Sequence, residues 1–162
     1  MSRVLGVGAC MCLGGCFLSP IPDTRTPADH AREMAARCTA VPEEASRNAL
    51  APSLIEAVEP AYTYVSSGPV DRQARLRGAR IHLLPGQALS RESLQRSLEC
   101  HQGRVLLGQI REPVDDPYVL PGVWLDIDAD SEGDGFVVAV QTNALASARS
   151  VLERARRFAS RR

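Results

Sequence analysis

The densest set of groups able to do chemistry is Asp126, Asp128, Asp130, Glu132 and Asp134, with a carboxylate at every second position. Alternating carboxylates open a calcium-binding loop, because a hard cation collects its ligands from oxygens. The pattern then departs from such a loop. Ser131 stands where the sharp turn needs glycine, and Val137 where a bidentate glutamate closes the shell. Strand alternation accounts for the same residues more simply, by setting Asp126, Asp128 and Asp130 on one solvated face. The expectation is a weak divalent-cation site at Asp126, Asp128, Asp130 and Asp134 and no resident cofactor. A second set, Cys38 and Cys100 with His30 and His101, has the ligand types of a soft copper or zinc site. Its spacing is wrong, since the chain has neither Cys-x-x-Cys nor His-x-x-x-His. Adjacent Cys100 and His101 also point about 100° apart on a helix. The three histidines, His30, His82 and His101, fall on three different elements, and no serine or cysteine has a nucleophile-elbow context. No catalytic residue is assigned.

The N-terminus holds a different chemistry. Met1-Ser2-Arg3 gives a positive start, Val4 to Gly15 is rich in small and apolar residues, and Leu13-Gly14-Gly15 leads into Cys16. That length suits a signal peptide, whereas a bilayer span needs about 20 apolar residues. Leu13-Gly14-Gly15-Cys16 resembles the lipobox of bacterial lipoproteins, in which small residues leave a peptidase room beside an alkylated thiol. Cys10, after Val7-Gly8-Ala9, has too little apolar length ahead of it to compete. The resemblance implies cleavage before Cys16, a diacylglyceryl group on its sulfur and a fatty acyl group, such as palmitate, on its new amino terminus. Each buried methylene contributes about 0.8 kcal/mol, so two or three chains anchor stably. Phe17, where inner-membrane retention would call for aspartate, implies the outer membrane rather than the inner. The resemblance covers the processing region alone.

The anchor sorts the cysteines. Of five, Cys10 and Cys12 leave with the signal peptide and Cys16 is lipidated, so Cys38 and Cys100 remain in a compartment where disulfides persist. A Cys38–Cys100 disulfide is the expectation. The rest of the composition is that of an ordinary globular chain: 44% hydrophobic, 23% charged and a formal net charge of +0. That balance gives no electrostatic footprint for nucleic acid. All 19 basic residues are arginine, which coding bias explains as well as function does.

The elements that must position these groups follow from periodicity. Residues 1–15 are read as signal peptide, 16–25 as a proline-containing tether and 26–162 as one domain. Thr26-Pro27-Ala28-Asp29 starts a helix whose Ala31, Met34, Ala35 and Cys38 recur at helical spacing. Residues 43–52 are polar, and residues 53–58 read as a short helix stopped by Pro60. Residues 62–65 are a possible edge strand closed by Ser66-Ser67-Gly68-Pro69, and residues 71–77 are charged and exposed. From Ala79 the pattern is β-α-β-β-α. A strand spans 79–84, broken at Pro85-Gly86. A helix follows, with Ser90 as N-cap, Leu89 and Leu94 as a staple, Cys100 on the edge of its stripe and Gly103 near its end. A loop covers 112–122, and alternating strands 123–130 and 136–142 flank a turn at 131–135. Asn143 caps the final helix, whose apolar face is Leu145, Ala148, Leu152, Ala155 and Phe158 or Ala159. Single apolar faces of this kind predict an α+β two-layer sandwich, a small mainly antiparallel sheet with helices on one face and an additional N-terminal helix.

The function class expected is a non-enzymatic binding or structural domain tethered to the cell envelope. Its contacts are the membrane, through the lipid anchor, and an envelope protein or cell-wall partner. The alternative is a periplasmic metal-binding protein using the aspartate hairpin or the Cys/His groups. Trp124, Tyr118 and Tyr62 are candidate patch aromatics, and the arginine-rich C-terminal helix is a candidate phosphate grip set against a plain solvated face.

Overall fold

Two helices of this chain begin at a residue whose side chain accepts from their first backbone donors, Thr26 and Ser90. The structure, a computed structural model, describes residues 25–38, 51–66, 72–85 and 90–161. Cys16, the signal peptide, the tether to residue 24, the polar segment 43–50, the turn at Ser67–Asp71, Gly86 and Leu89 lie outside the described residues.

Helix α1 spans Pro27–Arg37. Thr26 accepts from the Asp29 N–H while Asp29 accepts from the Thr26 N–H, a capping box that supplies two of the four unpaired N-terminal donors. A 3₁₀ turn at Pro52–Leu54 leads into strand β1, Ile55–Ser66, which pairs antiparallel with β2, Arg72–Leu83. Helix α2, Arg91–Leu106, starts at the Ser90 cap. Strands β3, Asp126–Glu132, and β4, Gly135–Gln141, form a second hairpin, and helix α3, Leu145–Ala159, closes the chain. The four strands make one antiparallel open sheet in the order β1-β2-β4-β3. This is an α+β fold.

Helices α2 and α3 cover one face, α2 against β3 and α3 against β2 and β1, while α1 packs on α2. The buried layer is Ile55, Ala79, Ile81, Leu83, Ile127, Ala129, Val138 and Val140 from the sheet. Leu94 and Leu98 from α2, and Val151, Ala155 and Phe158 from α3, meet it. Arg80 and His82 turn to the other face, as alternation requires.

Several expectations change. The short helix expected over 53–58 is one 3₁₀ turn, Pro52–Leu54, followed from Ile55 by strand. Pro60 does not end an element; it sits inside β1, opposite Ala79, which is tolerated because β1 is an edge strand. The charged segment 72–77, exposed over 72–75, is the first half of β2. Its pairing with β1 continues past Gly78, where β4 stops, so residues 62–66 and 72–76 form a two-stranded ribbon that leaves the sheet. The ribbon turns at its root. A register shift lies between Ala61 and Tyr62, and Gly78 has φ +148°, with the Val140 carbonyl where a Cβ would stand. Gly103, whose place near the helix end fitted either a stop or a weak point, lies inside α2 where α1 packs against it: an added Cβ would be 3.4 Å from the Ala31 carbonyl oxygen. Val123 joins an isolated bridge to Leu120, and β3 runs on to Glu132. Helix α3 is capped at Ala144 without a side-chain bond. Val151 fills the core where Leu145 was expected, and Leu145 is exposed.

Cys38, the C-cap of α1, and Cys100 of α2 are disulfide-bonded, with Cα atoms 5.7 Å apart and a sequence separation of 62. A loop of that size loses enough unfolded-state entropy to stabilise the fold by about 4 kcal/mol. The double variant Cys38→Ser/Cys100→Ser should therefore lose about that much unfolding free energy in urea titrations, and an unchanged midpoint would show that α1 docks without the bridge.

Candidate functional site

The carboxylates of the C-terminal hairpin are spread out. Asp126, Asp128 and Asp130 alternate along the exposed side of β3, opposite Gln141, Ala139 and Val137 of β4. Asp130 accepts from Arg91 at 3.2 Å. Asp134 is in the hairpin turn, beside a small hollow that also takes in His82, Glu132 and Phe136. Glu132 reaches across the sheet to His82 Nδ1 at 2.8 Å, and Glu59 lies 3.6 Å from the other ring nitrogen. Among the described residues no group of three or more His, Cys, Asp or Glu side chains is arranged to hold a metal ion.

The sulfur and imidazole groups are likewise separated. The two described cysteine sulfurs, Cys38 and Cys100, are bonded to each other. His30 stacks on Trp124, ring centroids 5.4 Å apart and planes 15° from parallel. His101 is buried: its Nε2 is 2.5 Å from Asp116 Oδ2, and both side chains are almost fully enclosed. The second Asp116 oxygen accepts the Tyr118 N–H at 2.9 Å, and the Asp116 carbonyl accepts from Arg154 at 2.9 Å. Next to this pair the buried Gln102 amide donates to the Leu125 carbonyl at 3.0 Å and accepts the Leu125 N–H at 2.7 Å. One side chain thus pairs both backbone groups of Leu125, the residue just before β3. No signal in the sequence links His101 to Asp116 or Gln102 to Leu125, because loop residues with no periodicity separate them. Sealed from solvent, the pair holds the 107–125 segment in place.

The aromatics sort differently from expectation. Tyr118 is fully buried; burial and then the Asp116 carboxylate push its phenol well above the ordinary range. Trp124 is half-buried under His30. Of the three candidate aromatics only Tyr62 is exposed, and it lies on the ribbon, away from the 115–122 loop. The basic end of α3 is no open phosphate grip either. Arg154 pairs with Glu112, Arg157 with Asp115 at 3.0 Å, and Arg161 with Asp115 at 2.6 Å and with the Val114 carbonyl at 3.0 Å. The Arg157 hydrogen bond, followed by the charges of Arg157, Arg161 and Arg154, holds the Asp115 carboxyl below its usual range.

What remains open is the ribbon. Tyr62 is 55% exposed, Tyr64 71%, Val65 47% and Leu145, from the first turn of α3, 43%. Tyr62, Val65, Leu76, Leu145 and Arg149 line a shallow groove of about 770 Å³ between the ribbon and α3. The sequence offered one clue to this surface, the aromatic and β-branched run Tyr62-Thr63-Tyr64-Val65. Its partner across the groove, Leu145, is 80 residues or more away in the chain and carried none.

No known protein family, curated protein or solved structure matches this chain. The site has to be read from its own chemistry.

The buried polar cluster makes a graded stability test. Asp116→Ala leaves the His101 nitrogen and the Tyr118 N–H unpaired and should cost about 3 kcal/mol in denaturant titrations. Asp116→Asn, which keeps an acceptor for the Tyr118 N–H, should cost less. Equal effects would mean that the loop is not held through this carboxylate.

Proposed function

We propose that this chain is a bacterial envelope lipoprotein, anchored through lipid on Cys16, on the outer membrane rather than the inner, whose α+β domain acts as a non-enzymatic binding or structural module. The observation that carries the reading is the ribbon: an exposed apolar and aromatic surface on a domain whose buried His101 and Asp116 are paired with each other. Contiguous exposed apolar surface on a folded domain marks an interaction site. The His101–Asp116 pair has the residue types of an acid–base dyad, but its seal against solvent leaves a substrate no approach. The short segment between Cys16 and Thr26 keeps such a module close to its membrane, so its partners are envelope components: a membrane protein, the cell wall or the bilayer itself. Among the described residues no helix is long and apolar enough to cross a membrane, so attachment to the bilayer in this reading comes from the lipid.

The anchor is tested directly. Growth with labelled palmitate should label the wild-type chain, and Cys16→Ser should abolish the label and release the protein from the membrane fraction. Labelling that survives the substitution would refute the assignment.

The alternative, a periplasmic metal-handling protein, has less support. Its soft ligands Cys38 and Cys100 are used by the bridge, and Asp130, one of its hard ligands, is engaged by Arg91. Calorimetry of the oxidised protein with calcium, zinc and copper should give no tight uptake. Sub-micromolar binding that is lost on replacing Asp126, Asp128 and Asp134 would reverse this preference.

A further inference from the structure

We propose that the ribbon end of the domain docks flat on a bilayer surface rich in anionic phospholipid, with Tyr62, Tyr64, Val65 and Leu145 at the headgroup level and Arg72 and Arg149 on lipid phosphates. Two independent observations lead here, one of charge and one of direction.

The charges separate along the strands. From Pro60 to Ala79 the one acidic residue is Asp71, against three arginines, Arg72, Arg75 and Arg77, and residues 141–152 contain Arg149 and no acid at all. At the other end of the β1–β2 hairpin stand Glu56, Glu59, Asp130, Glu132 and Asp134. The exposed tyrosines therefore sit in a field that is positive locally although the whole chain has a formal net charge of +0. Arg75 is partly engaged, donating to the Asn143 carbonyl at 2.7 Å. Arg72, opposite Ser66 on the ribbon, and Arg149, which lines the groove with Tyr62, are exposed. Amphipathic aromatics flanked by arginine suit a membrane interface, where the ring lies among glycerol and headgroup atoms and the guanidinium meets phosphate.

The direction comes from α1. His30, in its first turns, stacks on Trp124, two residues before β3 begins. Asp126, the first residue of β3, is in register with Gln141, and Gln141 with Gly78, the root of the ribbon. Ala31 of α1 lies against Gly103, whereas the far end of α1, Cys38, is bonded to Cys100, three residues closer to the start of α2, and that start reaches Asp130 towards the opposite end of β3. The chain thus enters α1 at the end of the sheet from which the ribbon projects. A lipid anchor upstream of Thr26 pulls that same end towards the bilayer. This orientation rests on the Cys16 anchor; the affinity of the ribbon for headgroups does not.

Hydrogen exchange on the full-length processed protein tests the proposal in nanodiscs of phosphatidylcholine alone and of phosphatidylcholine mixed with phosphatidylglycerol. The expected result is slowed exchange over residues 61–66, 72–76 and 145–148 in the anionic discs, reversed by high salt. Arg72→Gln and Arg149→Gln should each weaken headgroup binding about fivefold, and Tyr62→Ser/Tyr64→Ser should remove the slowing. All four positions are exposed, and unchanged exchange over α2 reports that the fold is intact. Equal exchange in both discs overturns the proposal. So does slowing that persists in detergent, which would place a second copy of the chain or another protein on the ribbon. Mass spectrometry of the N-terminal peptide separates the two readings. An unacylated chain that is still protected when mixed with phosphatidylglycerol vesicles upholds headgroup docking and sinks the anchor, and an acylated chain without protection does the reverse.

Discussion

Four consecutive residues of α2 hold this fold together, each in a different direction. Cys100 is bonded to the C-cap of α1, His101 meets Asp116 in the long loop, Gln102 pairs both backbone groups of Leu125, and Gly103 lets α1 lie close. At about 100° per residue, four positions in a row point all the way round a helix. That is why this turn is buried on every side although α2 lies at the flank of the sheet. Helix α1, the loop and β3 are otherwise joined by little regular hydrogen bonding. Their relative placement depends on this one turn.

The turn also explains what the sequence disclosed and what it did not. The three helices and the β3–β4 hairpin follow from apolar spacing over short windows, and Thr26 and Ser90 mark two helix starts by a local rule of capping. The first half of β1 was hidden because its evidence is not local, although residues 62–65 read as an edge strand. Residues 53–58 have a helix-like apolar spacing and Pro60 reads as a terminator, yet pairing with β2 decides the matter. The polar contacts were hidden for the same reason. Asp116, flanked by Asp115 and Pro117, looks like any acidic turn residue; only the closed chain sets it against His101. The ribbon surface shows both sides at once. The run from Tyr62 to Val65 is visible in the sequence, while Leu145 joins it through the packing of α3.

Charge is arranged to fix loops rather than to advertise itself. The arginines at the end of α3 draw Glu112 and Asp115 against the helix, and Asp115 holds φ +56° there, a conformation that few residues other than glycine, asparagine and aspartate accept easily. A run that reads as a basic tail is in the fold a clamp on an acidic loop. At the ribbon end the sequence sets Arg72, Arg75 and Arg77 against Asp71 alone.

The stack of His30 on Trp124 gives the molecule a property of its own. Trp124 is the only tryptophan in the chain, and it sits at the seam between α1 and the loop ahead of β3. Its indole emission therefore watches one joint. Separation of α1 would change the light from Trp124 while the sheet and the other helices, seen by circular dichroism, stayed as they were. The protein carries an internal optical reporter for the position of the helix that leads back towards its N-terminus.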